Sequence, residues 1–203
     1  MRLRVTAKRV RREGLNLDGR DKMARILARR PYGPGAHGPT SRTRQTDYGK
    51  QLREKQRAKL VYGIMERQFR NYFDKSTKMK GDTGENLVRL LELRLDNVVF
   101  RAGFAKTRAS ARQIVGHNHV DVNGVHVNIP SYQVKPSDVV TIRANKKEKK
   151  NWKTFIESAV KTETPSWITS DFKDLAIKVT SVPAGEELKQ IFDPKIIVEF
   201  YSR

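Results

Sequence analysis

Residues 106–127 read KTRASARQIVGHNHVDVNGVHV, and the reading of this stretch decides the fold. Thr107 is a good N-cap and Gly116 a good stop, so the spacing predicts a helix between them. Val120, Val122, Val125 and Val127 then alternate around Asn123-Gly124. That dipeptide suits a two-residue hairpin turn, which needs positive φ at both central positions. A helix running into a hairpin points to an α+β fold. Arg108 and Arg112 lie four apart, hence on one face, with Lys106 at the entrance. Ala109, Ser110 and Ala111 keep long side chains away from a docked phosphate backbone. A solvated basic face would share this pattern, but beside the hairpin and an arginine-rich first half, phosphate contact is the better reading.

Downstream, Tyr132–Val134 and Val139–Ile142 read as further strands, separated by Lys135-Pro136-Ser137-Asp138. The run RANKKEKKN (143–151) is a solvated basic connection, followed by a helix from Trp152 to Lys161. After PSWITSD come a strand near Ala176–Thr180 and a last apolar strand at Ile196–Tyr201. Upstream, Asp82 can cap a helix with Glu85 three residues on. Leu87, Leu90, Leu91 and Leu95 give its buried face. A short helix through Val98, Val99 and Ala102 stops at Gly103. From Tyr48 to about Phe73 one long helix is expected, with Val61, Met65, Phe69 and Tyr72 as its apolar stripe. Asp21–Arg30 can form a short helix with Met23, Ile26 and Leu27 facing inward. Helices dominate the first half and strands the second: a helical N-terminal domain plus a small module of short helices on an antiparallel sheet.

The 203 residues carry 42 Lys and Arg against 22 Asp and Glu, a net charge of +20. A polyanion is the natural partner, because each neutralised phosphate releases counterions. The charge is uneven: residues 1–57 hold net +12, and residues 151–203 hold net −1. Residues 1–45, basic and sparse in apolar positions, are expected to be largely disordered until RNA orders them. There is no apolar run long enough for a membrane span and no secretory signal at the N-terminus. Cysteine is absent, which removes disulfides, thiol catalysis and cysteine-ligated zinc.

Other motifs weigh little. Gly33, Gly35 and Gly38 match G-x-G-x-x-G, but no strand precedes them and Pro34 and Pro39 favour an irregular path, so a dinucleotide loop is disfavoured. His117-Asn118-His119 superficially matches a nuclease string, yet lies in a helix-to-strand turn and reads as turn or RNA contact rather than metal site. The four histidines form no nucleophile–base constellation, and no cofactor is called for. The aromatics sit at core spacings, so recognition is expected to rest on basic faces fitted to RNA shape.

PGAHG (34–38), DYGKQLREKQRAKLVYGIMERQFRNYF (47–73), TGENLVRLLELRLDNVVFRAGFAKTRASARQIVGH (83–117), VNG, NIPSYQVKPSDVV (128–140) and the terminal VEFYSR together resemble the S-four family of bacterial small-subunit ribosomal proteins, in the right order over nearly the whole chain. The resemblance implies a basic extension over 1–45, a helical domain over 46–92 completed by 156–203, the family's RNA-binding module over 93–155, and a protein-contact surface within 156–203. It implies a primary binder of small-subunit ribosomal RNA that nucleates assembly of the subunit body, located on the cytoplasmic ribosome. It also implies contact with small-subunit protein five, a part in decoding accuracy, and a place near the messenger RNA entry path. No enzymatic activity is implied.

With the charge pattern, the resemblance makes Lys8, Arg9, Arg11, Arg12, His37, Arg42, Arg44, Lys50, Arg53, Lys55, Arg57, Arg67, Arg70, Lys106, Thr107, Arg108, Arg112 and His117 the RNA-binding candidates, and Glu186, Glu187 and Asp193 the protein-contact candidates. Two features depart from the family. The N-terminal cysteine cluster that binds zinc in some relatives is missing, so no zinc is expected, and residues 163–195 are less typical than the rest. An enzyme carrying the same RNA module, such as a pseudouridine synthase, would need a further catalytic domain for which the chain has no room. A heat-shock-type rescue protein shares the module without the long basic first half. A DNA-binding architectural protein is compatible with charge alone.

Overall fold

The computed structural model describes residues 5–40, 45–147, 152 and 164–202. The chain divides into two compact units, Met1–Val88 with Lys189–Arg203, and Arg89–Leu188. The boundary expected near residue 155 is therefore absent: residues 164–188 belong with the sheet, and only the last segment returns to the helical unit. The reason lies in strand pairing, as the second unit shows.

Its sheet has the strand order β2-β1-β3-β5-β4, built from β1 (Val120–Val122), β2 (Val125–His126), β3 (Val139–Ile142), β4 (Ile168–Asp171) and β5 (Ala176–Val179), all neighbours antiparallel. The Asn123-Gly124 turn has φ of 51° and 78°, the double positive φ that its sequence foretells. Asn123 does more than turn the chain. Its side-chain Nδ2 donates to Asp138 at 2.8 Å and its Oδ1 accepts from the Val139 amide at 2.8 Å, fixing the hairpin against β3. β5 pairs with both β3 and β4, which draws residues 168–179 into this sheet.

One sheet face is apolar. Val120, Val122, Val140, Ile142, Ile177 and Val179 meet Leu95, Val98 and Val99 of helix α6 (Leu95–Arg101) and Ala111 and Val115 of α7 (Arg108–Gly116). The Thr107 hydroxyl accepts from the Ser110 amide at 3.1 Å, the expected cap. Gly103 takes φ of 82° after α6. The strand expected over Tyr132–Val134 is reduced to a single bridge, Arg94 to Gln133. Its partner is the two-residue link, Leu93 and Arg94, between α5 (Thr83–Glu92) and α6, too short to carry a ladder. A short helix, α8 (Ala144–Lys147), begins inside the expected basic connection. The helix expected over Trp152–Lys161 lies outside the described residues except for Trp152, whose indole is buried and donates to His119 Nδ1 at 3.0 Å.

The first unit is helical: α1 (Ala7–Glu13), α2 (Asp21–Arg29), α3 (Asp47–Tyr62), α4 (Glu66–Ser76), most of α5, and α9 (Pro194–Tyr201). The single helix expected over 48–73 is two. Gly63 adopts φ of 63°, its amide bonds to Leu60 O and that of Ile64 to Lys59 O. This is a Schellman stop, with buried Ile64 as its apolar partner. Met65 consequently leaves the stripe and is exposed. The strand expected over Ile196–Tyr201 is helix as well. Asp193 accepts from the Lys195 amide at 2.8 Å and Pro194 occupies the first turn; this start signal outweighs the β-propensity of the Ile-Ile-Val run. α9 packs along α3, with Phe200 against Tyr48 and Ile197 buried. The extension also differs from expectation: residues 7–29 carry two helices, with Val10, Leu17 and Met23 buried. Among the described residues no helix is long and apolar enough to cross a membrane.

Candidate nucleic-acid interface

The best-organised basic surface lies in the second unit, and a buried polar row beneath it supplies the order. Glu92, Arg94, Asp96 and Asn97 are all buried, a composition that a core tolerates only when every charge is paired. Arg94 reaches both oxygens of Asp96, at 3.0 and 2.8 Å. Asn97 Nδ2 donates to Glu92 Oε2 at 2.8 Å and to the Glu92 carbonyl at 2.9 Å. From this row three arginines rise to the surface. Arg101 places Nε and one terminal nitrogen on Glu92, each at 2.9 Å. Arg108 Nε donates to Asn97 Oδ1 at 2.8 Å while its guanidinium covers the Phe100 ring at 4.5 Å. Arg112 lies 3.9 Å from Asp96. Lys106, exposed, opens α7, and Ala109 and Ser110 are exposed between the arginines. Arg101 escaped the sequence reading; its signal was the spacing to Glu92, visible only once α5 and α6 turn back on each other.

His117 is exposed at the end of α7. His119 accepts from Trp152, and His126 lies between Val120 O and Asn118 Oδ1. The His117-Asn118-His119 string is thus a turn, with Asn118 at φ of 62°. Among the described residues no group of three His, Asp or Glu side chains could hold a metal ion.

In the first unit the predicted cations separate by environment. Lys8, Arg12, His37, Arg67 and Arg70 are exposed, and Arg9 is half-buried. Lys50 is exposed and pairs with Asp47. Arg53 and Arg57 converge on buried Glu13, at 2.8 and 3.4 Å, and Arg57 also contacts Glu54. Lys55 is buried: its ammonium meets Glu66 at 3.0 Å and sits 4.2 Å from the Phe200 ring. Lys59, absent from the sequence reading, joins Glu66 from the next turn at 2.7 Å. Arg53, Lys55 and Arg57 therefore fasten helices together within this unit, a different task from standing free for phosphate. Burial would raise the Glu66 carboxyl, but hydrogen bonds from Lys59, Lys55 and Tyr201 prevail and hold it at about 2. Arg42 and Arg44 lie outside the described residues.

Arg11 holds the glycine loop. Its Nε donates to Tyr32 O at 3.1 Å and a terminal nitrogen to Gly33 O at 3.0 Å, with the guanidinium over the Tyr32 ring. Gly38 closes the loop by donating to Gly35 O at 3.2 Å. A Cβ there would stand 2.1 Å from Gly33 O, so glycine is required by close backbone approach.

The acidic candidates do not share a role. Glu186 is exposed. Glu187 Oε1 accepts from the Ser166 amide at 2.8 Å and hydroxyl at 2.6 Å, fixing the approach to β4. Asp193 caps α9. Glu186 and Glu187 belong to one compact unit and Asp193 to the other.

Residues 3–92 match the family model described as ribosomal protein S4/S9 N-terminal domain, and residues 93–140 match the S4 domain. The chain is similar to "Small ribosomal subunit protein uS4" of Roseiflexus sp. (strain RS-1), 47% identical over 196 residues covering 95% of this chain and 94% of that protein. It is similar to the uS4 of Natranaerobius thermophilus, 46% identical over 90% of this chain and 87% of that protein. To uS4A of Clostridium botulinum (strain ATCC 19397 / Type A) it is 47% identical over 98% of this chain and 97% of that protein. Two family models in tandem, and relatives at this identity over almost their full length, establish that the chain belongs to the uS4 family of small-ribosomal-subunit proteins, a structural and non-enzymatic family.

Proposed function

We propose that the protein binds small-subunit ribosomal RNA directly and early, nucleating assembly of the subunit body. The observation that carries this reading is the arginine row of the second unit. Arg101, Arg108 and Arg112 are set on a buried polar frame beside an exposed Lys106 and two small exposed residues. That surface offers planar forks for phosphate oxygens and leaves room for a sugar–phosphate backbone. RNA helices expose their phosphates and 2′-hydroxyls on a broad surface, which a rigid basic face can follow without reading bases. Exposed Lys8, Arg12, Arg67 and Arg70 extend the basic surface of the first unit and would add sequence-independent affinity.

The function also includes contact with ribosomal protein five, a contribution to decoding accuracy and proximity to messenger RNA on the cytoplasmic ribosome. The near-neutral C-terminal quarter supports a protein contact, since net −1 against +20 for the whole is a poor match to phosphate. Two measurements test the proposal. Tagged protein should co-sediment with small subunits and crosslink to their RNA, and purified protein should bind the isolated ribosomal RNA more tightly than duplex DNA at matched salt. Equal affinity for duplex DNA would favour the architectural alternative.

A further inference from the structure

We infer that Glu92, a buried carboxylate, is a positioning residue for RNA: it aims the arginines, and neutralising it weakens RNA binding although it makes the protein more positive. The inference rests on the RNA-binding reading above. Its evidence is the geometry of α5, α6 and α7.

An anion beneath a phosphate-binding surface is electrostatically unfavourable for the complex, so its presence asks for a reason. Glu92 ends α5 with its side chain 1% exposed, and it accepts from Arg101 Nε and a terminal nitrogen and from Asn97 Nδ2. Asn97, held this way, turns its Oδ1 to Arg108 Nε. Arg108 also comes within 4.0 Å of Glu92. One carboxylate therefore fixes Arg101 directly and Arg108 chiefly through Asn97. The three surface arginines keep 28%, 17% and 27% of their side chains exposed, for Arg101, Arg108 and Arg112 in turn. They are partly sunk and partly presented.

An arginine on an open surface loses much rotamer freedom when it grips a phosphate; one already clamped at Nε loses less. Pre-organised guanidinium groups at fixed spacing also prefer phosphates at matching spacing, so the row selects for backbone shape as well as charge. Asp96 plays the same part more weakly. It is occupied chiefly by Arg94 and approaches Arg112 only at 3.9 Å.

The experiment compares full-length wild-type, Glu92→Gln and Arg108→Lys proteins binding to small-subunit ribosomal RNA across a salt series. Glu92→Gln keeps the shape but gives up the charge-assisted forks, and we expect roughly tenfold weaker binding at fixed salt. The slope of log K against log salt should become shallower by about 0.7 or more, as at least one phosphate contact is lost. Arg108→Lys retains the charge but cannot keep the Nε bond to Asn97; it should weaken binding measured well below its thermal midpoint, where the variant is fully folded. Glu92→Gln binding as tightly as wild type, or more tightly as charge alone predicts, overturns the inference. If Glu92→Gln does not fold, Arg108→Lys decides, and wild-type affinity in that variant overturns it equally. Failure of the wild-type protein to bind the RNA would instead sink the functional reading beneath it.

Discussion

The Tyr201 hydroxyl donates to Glu66 Oε1 at 2.8 Å across 135 positions of sequence. The ring of Tyr201 stacks on Phe73 at 4.6 Å, so the end of the chain is held by both faces of its chemistry. Lys55 and Lys59 complete the cluster from α3. The bond to a carboxylate and the burial together push the Tyr201 phenol well above its ordinary range, burial being the larger cause. Tyr201→Phe should keep the stacking and lose the hydrogen bond, costing about 1 kcal/mol in urea unfolding. Glu66→Ala should cost more, because it strands two largely buried ammonium groups. Equal stability of the two variants would show that the lysines, not the phenol, need no partner.

The same cluster makes stability depend on acid. The folded Glu66 carboxyl, at about 2, lies below its ordinary 4.5. A depressed carboxylate contributes fully above the unfolded value, and its contribution is lost as pH falls through the window from 4.5 towards 2. Glu66→Gln should therefore be less stable than wild type near neutrality and converge with it at the acid end. A constant gap between the two proteins across that window would remove Glu66 as the source.

Much of the second unit was legible because its signals are local. Asn123-Gly124 requires positive φ, Thr107 supplies a cap, and Val120 and Val122 alternate onto the buried face, although Val125 across the turn is exposed. The misread elements are those where a local signal met a stronger one nearby. Gly63 followed by apolar Ile64 is a helix stop, but the apolar spacing from Val61 to Phe69 runs straight through it. Ile196, Ile197 and Val198 favour strand, yet Asp193-Pro194 before them starts a helix and α3 offers an apolar face to cover. The basic candidates were chosen by charge, and charge cannot tell Lys55, sunk against Phe200, from exposed Arg67. Arg101 and Glu92 become partners only through the turn between two helices, a relationship no periodicity carries.

On the RNA side, Arg108→Ala combined with Arg112→Ala should weaken binding to small-subunit ribosomal RNA and flatten its salt dependence. Each phosphate contact removed should lower the log–log slope by about 0.7–0.9. Both side chains leave anchors behind, Asn97 and Asp96, so the melting temperature must be measured alongside. A folded double variant with the wild-type slope would take α7 out of the interface.

Gly38→Ala tests whether the glycine loop acts as a built element. The added methyl would meet Gly33 O at 2.1 Å, and Gly33 O is itself held by Arg11. The clash is with backbone, so the loop must open and release the Arg11 contact. Trypsin should then cut after Arg29 faster in the variant than in the wild type (the Arg30–Pro31 bond resists trypsin), while the core of the second unit melts unchanged. Identical cleavage rates would mean that the loop tolerates the methyl by another path.

The acidic candidates of the C-terminal quarter allow a sharper test now that their structural tasks differ. As protein-contact candidates, all three should tolerate charge reversal in RNA binding while disturbing the protein contact. Asp193 caps α9, and its replacement by lysine puts a cation at a helix N-terminus where the dipole favours an anion. That variant should lose about 1 kcal/mol of stability whatever it touches. Glu187→Lys should likewise be destabilised, since Ser166 loses its acceptor beside β4. Glu186 is exposed in the 3₁₀ turn Gly185–Leu188, and reversing its charge leaves the Asp193 cap and the Glu187–Ser166 bonds in place. It is therefore the position where an effect on pairing with ribosomal protein five, or on misreading, would report an interface rather than a weakened fold. The expected result for Glu186→Lys is wild-type melting, wild-type affinity for ribosomal RNA, and reduced pairing with protein five. Tighter RNA binding with intact pairing would place this surface against phosphate, where a new lysine helps, and would move the protein contact elsewhere on the chain.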